Sequence, residues 1–165
     1  MARILEPFQD KKRYIPVNLF EGEKINVPVY PTSKLGKLQC SAYVRLAAEE
    51  LFGKRFAKCH AWNRQYNDWV VATLDENTTL KSLVKEGVLE RGMALGVHNP
   101  LSSFRNWIDQ EGNLANYTHA AMYIGRNRKG QPLVAEQFTN AIIVRTEDEM
   151  RESGLTPIHI FDSRE

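Results

Sequence analysis

The chain has 165 residues, 42% of them hydrophobic and 25% charged, with a formal net charge of +2. That is enough for one globular domain that buries an apolar core without staples. The charge is too mild to argue for nucleic acid, and no basic run with interleaved aromatics appears, although an anionic polymer remains compatible as a substrate.

No stretch approaches the roughly 18 apolar residues of a membrane helix, so no membrane span is expected. Two cysteines, Cys40 and Cys59, do not make a disulfide framework. A single bridge between them would suit only an oxidising compartment. The opening "MARILEPFQDKKRYIP" lacks the apolar region and cleavage site of a signal peptide. The expectation is synthesis in the cytoplasm without a signal, with any target at a cell wall or in the periplasm reached by lysis or a dedicated export route.

In chain order, "RYIPVNLFEGEKINVPVYPTSKLGK" carries prolines and short apolar runs and reads as an extended arm with one or two edge strands. Residues 1–35 form this arm and residues 36–165 the main unit of a single-domain chain. Pro31, Thr32, Ser33 and Gly36 make a loop before the next element. "LQCSAYVRLAAEELFG", residues 38 to 53, is an amphipathic helix. Cys40, Tyr43, Val44, Ala47, Ala48 and Leu51 share one face, and Gly53 is the stop. "KCHAWNRQYNDWVVATL" is aromatic-rich and of mixed period. "TTLKSLVKEG" is a short helix with a Thr cap and a Gly stop. "GMALGV" is a strand, and "HNPLSSFRNWIDQEGNLAN" a polar loop. "THAAMYIG" and "QPLVAEQF", joined by "RNRKG", form a β-hairpin. "AIIVRT" is a further strand, "EDEMRESG" a short helix with a solvated face, and "TPIHIF" a last strand in which His159 points off the core face. A helix followed by consecutive strands gives an α+β fold, with an antiparallel sheet packed on the Cys40 helix.

Cys40 sits in a first helical turn, where the helix dipole favours a thiolate. A nucleophilic thiol needs a base, and His119, opening a strand, can supply one. The base needs an acceptor to fix its tautomer. Glu136 and Gln137, on the next strand, point to opposite faces, so only one of them can be that partner.

"QCSAYVR", "HAWN", "THAAMYIG" and "VAEQF", in that order, resemble the CHAP and NlpC-type cysteine peptidases and amidases of bacterial cell walls. The likeness covers roughly residues 36 to 145. It implies a papain-like core, with Cys40 as nucleophile, His119 as general base and Glu136 orienting the imidazole, Gln137 being the alternative. Gln39 and the Cys40 backbone N–H would hold the oxyanion. The reaction would be hydrolysis of an amide in peptidoglycan or its stem peptide, without a cofactor. A phage lysis enzyme or an exported effector would fit, the latter with an inhibitor or immunity protein as partner. The segment before the histidine strand lacks the family's Asp, and Phe138 stands where Asn is common.

Other readings compete for the same residues. Cys40 could be a buried structural cysteine in a binding module without turnover. The same site could serve a deamidase, acyltransferase or other hydrolase on a cytoplasmic substrate. Cys59 and His60 with Cys40 and His119 would make a poor zinc site, because adjacent ligands fit a tetrahedral ion badly, so no metal is expected. Trp62, Tyr66, Trp69 and Trp107 are either core or the wall of a cleft, with His98 a further cleft candidate.

Overall fold

The computed structural model describes residues 4–7, 12–35, 39–56, 70–101, 107–108, 114–115, 119–138 and 141–163. Of residues 4–7, 32, 33, 107, 108, 114, 115 and 138 only the backbone is described.

The fold is α+β. It is built on a seven-stranded sheet in which every neighbouring pair runs antiparallel. The strands are β1 (Ile4–Pro7), β10 (Ala141–Thr146), β9 (Pro132–Phe138), β8 (His119–Arg126), β5 (Ala94–His98), β11 (Thr156–Phe161) and β4 (Val70–Thr73), in that spatial order. β8 and β9 are the hairpin expected around "RNRKG". Its turn is closed by Asn127, whose Oδ1 accepts the backbone N–H groups of Lys129 and Gln131. Two two-residue strands, β6 (Trp107–Ile108) and β7 (Leu114–Ala115), pair inside the segment read as a polar loop.

Both faces of the sheet are covered. On one face lies α2 (Gln39–Phe52), whose Tyr43, Val44, Ala47 and Ala48 are fully buried against Ala120, Met122, Ile124, Leu133 and Ala135. The helical period predicted this stripe. Gly53 ends the helix in the left-handed conformation (φ +67°), with its N–H on the Glu49 carbonyl at 3.0 Å.

The segment read as an arm is split. β1 pairs with β10 at the sheet edge, with Ile4 opposite Val144. β2 (Arg13–Asn18) and β3 (Lys24–Val29) form a separate hairpin that buries Ile15, Val17, Val27 and Val29 in the α2-side core. Tyr43 ties the two together by donating from its hydroxyl to the Pro28 carbonyl at 2.8 Å. The loop expected before α2 contains one helical turn, α1 (Thr32–Leu35), in which Lys34 N–H meets the Pro31 carbonyl at 2.9 Å. Proline presets the backbone of a helix start, so it begins a turn here rather than only breaking one.

The other face carries a second core. α3 (Leu80–Lys85) and α4 (Glu147–Glu152) cover it, with Leu80, Leu83, Met150, Ala121, Tyr123 and Val134 buried together. Both helices start in capping boxes, Thr79 with Ser82 and Thr146 with Glu149.

Asp148 and Glu152 of α4 are exposed as expected, but two residues read as surface-facing, Glu147 and His159, are buried. Glu147 of α4 is buried, accepting the Leu80 backbone N–H at 2.9 Å and pairing with Arg151. His159 is buried with its ring edge-on to Phe161. Among the described residues no helix is long and apolar enough to cross a membrane.

Candidate active site

α2 delivers Cys40 in its first turn, where backbone N–H groups still lack carbonyl partners within the helix. The cysteine is partly exposed. Its sulfur is hydrogen-bonded to the His119 side chain and receives the backbone N–H groups of Ser41 and Ala120.

His119 is the first residue of β8. Alternation assigns Ala120, Met122 and Ile124 to the α2 side and Ala121 and Tyr123 to the α3–α4 side. His119 starts the second set, paired across the ladder with Val97 of that same core. The thiol therefore meets the imidazole at the end of the strand, where the first turn of α2 reaches the first residue of β8.

Glu136 lies on β9, on the α3–α4 side with Val134. Its Oε1 accepts from His119 Nε2 at 3.0 Å. With Nε2 so engaged, Nδ1 is the ring nitrogen left for Cys40. Glu136 is fully buried and His119 is 4% exposed. Gln137 faces the other way and donates from Nε2 to Gln39 Oε1 at 2.8 Å. Of the two candidate partners, Glu136 contacts the imidazole, and Gln137 fixes the side chain just before the thiol.

Burial pushes the Cys40 thiol up, but the hydrogen bond and charge of His119 outweigh it and leave the thiol below its ordinary value. Burial pushes the imidazolium down, but its bonds to Cys40 and Glu136 raise it to about 9. Burial likewise opposes ionisation of Glu136, and His119 and Arg145 together hold it below its usual range. All three shifts run the same way, each favouring the charged form: thiolate, imidazolium and carboxylate in a row.

Arg145 is a residue that the sequence reading did not single out. It lies on β10, is 1% exposed, and donates from Nη2 to Glu136 Oε1 at 2.5 Å. The signal was present in "AIIVRT", because a guanidinium in an apolar strand needs a buried counter-charge.

The remaining candidates are not joined to this row. His98 ends β5 opposite Thr156, half-buried, with Nδ1 buried and without a hydrogen-bond partner among the described residues. Trp62, Tyr66 and Trp69, together with Cys59 and His60, lie outside the described residues, and of Trp107 only the backbone is described. Among the described residues no three His, Cys, Asp or Glu side chains gather as metal ligands.

No family model matches the chain, and no curated protein or solved structure matches it.

Proposed function

We propose that the protein is a cysteine hydrolase with a papain-like core that cleaves an amide bond of peptidoglycan, at the sugar–peptide junction or within the stem peptide. The observation that carries the chemistry is the hydrogen-bonded row Cys40, His119 and Glu136, with the thiol at a helix start and the far carboxylate buried. A structural cysteine has no need of a charged imidazole on its sulfur and a buried carboxylate behind that imidazole. The choice of peptidoglycan rests on the order of "QCSAYVR", "THAAMYIG" and "VAEQF".

The Cys40 thiolate attacks the amide carbonyl carbon, forming the S–C bond and moving the π electrons onto oxygen. The oxyanion is held by the Cys40 N–H and the Gln39 amide. Gln137 holds Gln39 Oε1, which turns the Gln39 amino group away from Gln137. The His119 imidazolium gives its proton to the leaving nitrogen as the C–N bond breaks, leaving a thioester and a neutral imidazole. That imidazole takes a proton from water, whose oxygen attacks the thioester. The carboxylic acid leaves and the thiolate–imidazolium pair is restored. Glu136 orients the ring throughout and stabilises its charged form.

The test is the pH dependence of Cys40 alkylation by iodoacetamide, in a Cys59→Ser background, with and without His119→Ala. Labelling should persist well below the ordinary thiol pKa of about 8.5 and should lose that low-pH component without His119. Digestion of purified peptidoglycan with release of new amino groups then identifies the bond. A reactive Cys40 with no release from the wall assigns the same chemistry to another amide or ester. Labelling that follows an ordinary thiol rejects the hydrolase reading.

A further inference from the structure

The row of hydrogen bonds does not stop at Glu136. One carboxylate oxygen, Oε1, takes both His119 Nε2 at 3.0 Å and Arg145 Nη2 at 2.5 Å. Arg145 is anchored from behind, since its Nη1 donates to Ser153 Oγ at 2.9 Å, and Ser153 Oγ donates to the Met150 carbonyl at 2.6 Å. Ser153 is the residue that caps the C-terminal end of α4. Arg145 thus spans from the end of a helix on the outer layer to the carboxylate behind the imidazole.

We propose that Arg145 is a positioning residue of the Cys40 site, holding Glu136 as an oriented carboxylate behind the His119 imidazole and so sustaining the Cys40–His119 pair. This rests on the hydrolase reading given above.

The case is one of charge balance in a buried place. The ionised row carries thiolate, imidazolium, carboxylate and guanidinium, which sum to zero. Without the guanidinium the same row carries a net negative charge around a fully buried carboxylate, which favours uptake of a proton. A proton on sulfur abolishes the nucleophile directly. A proton on Glu136 strips the imidazolium of its partner, and the imidazolium then gives up the charge that holds the thiolate. Either route depletes the reactive pair.

Among the described residues, the charged groups of the elements packed around Glu136 are committed elsewhere, exposed or already part of the row. On α4, Glu147 and Arg151 are paired with each other, and Glu147 is further committed to the Leu80 N–H. On α3, Lys81 and Lys85 are exposed. From α2 the group that reaches the row is Cys40, and from β8 it is His119.

The experiment compares low-pH alkylation of Cys40 in the full chain and in Arg145→Met, Arg145→Gln and Arg145→Lys, all in the Cys59→Ser background. With a shift of one unit or more in the low-pH limb, the two neutral variants should label about tenfold more slowly than the parent at pH 6. Arg145→Lys, which keeps the charge but not the fork, should stay within about threefold. Far-UV circular dichroism establishes that each variant is folded, and either neutral variant suffices if the other does not fold. A merely structural role lowers the melting temperature and leaves the limb where it was, and that result overturns the proposal. A parent protein that labels as an ordinary thiol removes the hydrolase reading and this inference together. A parent with a His119-dependent limb that Arg145→Met and Arg145→Gln leave unmoved removes only this one.

Discussion

Gln137 on β9 donates its amide to Gln39 on the first turn of α2 at 2.8 Å, so the residue that follows Glu136 grips the residue that precedes Cys40. Two consecutive residues of one strand therefore hold the two sides of the same site, Glu136 through the imidazole and Gln137 through the candidate oxyanion donor. Substitution of Gln39 by Ala should slow acylation of Cys40 by p-nitrophenyl acetate about 100-fold, the usual cost of one oxyanion donor. Gln137→Ala should cost less, about tenfold, because it frees Gln39 without removing it. The double variant should be no slower than Gln39→Ala alone, since both act through one group. Additive losses in burst kinetics would show that Gln137 acts by some other route.

Acyl transfer and alkylation should part company at high pH. Alkylation needs only the thiolate, so it should not decline as His119 deprotonates. Amide cleavage also needs a proton on the imidazole for the leaving nitrogen, so its rate should fall as pH rises through about 9. The same group has a linked effect on stability. Its folded pKa is raised above the unfolded value of about 6.5, so its contribution is complete below that value and is lost as pH climbs through about 9. Parallel rate profiles for the two reactions, each measured from pH 5 to 10, would contradict this assignment.

Removing Glu136 should be more damaging than removing the whole ion pair. Glu136→Ala leaves the Arg145 guanidinium buried without its carboxylate, which typically costs about 3–5 kcal/mol. Glu136→Leu combined with Arg145→Met replaces both charges by apolar groups and should recover most of that loss, while leaving the thiol with ordinary reactivity. Urea unfolding of the single and double variants measures the first effect, and iodoacetamide labelling the second. A double variant less stable than Glu136→Ala would show that the pair contributes more than mutual compensation.

His159 should make the protein acid-sensitive above the carboxylate range. Burial lowers its pKa to about 4, whereas the unfolded chain protonates near 6.5. The unfolded state therefore binds the extra proton first, and stability should fall as pH drops from about 6.5 towards 4. His159→Leu should flatten the dependence of melting temperature on pH across that window. An unchanged slope would place the sensitivity elsewhere.

Local signals in the sequence located most elements, because caps, turns and periodicity are written in neighbouring residues. The stripe from Tyr43 to Ala48, the Thr79 cap and the "RNRKG" turn all lie where the pattern puts them. What escaped were properties that depend on which layers cover which face. "EDEMRE" reads as solvated, yet Glu147 is buried because α3 offers it an unpaired N–H. His159 alternates with Ile158 and Ile160, yet it is buried beside Phe161 rather than facing solvent. Two-residue strands such as β6 and β7 are too short to show a period. At the candidate site, Cys40 and His119 could be named from residue type and order, whereas Glu136 and Gln137 stayed alternatives until the register set Glu136 against the imidazole. Arg145 needed the register that sets it opposite Val134, two residues from Glu136, and no local pattern carries that register.

The thiol and its base come from opposite sides of one sheet and from points 79 residues apart in the chain (119 − 40). While the chain is being made, Cys40 can join its helix long before His119 exists. Throughout that interval it is an ordinary thiol. Its reactivity begins only when the first turn of α2 meets the end of β8, so the nascent protein is chemically quiet and assembly of the two layers arms it. The same dependence runs in reverse on heating. A slight parting of helix and sheet silences the nucleophile before either layer melts, so loss of thiol reactivity should be an earlier sign of heat damage than loss of secondary structure.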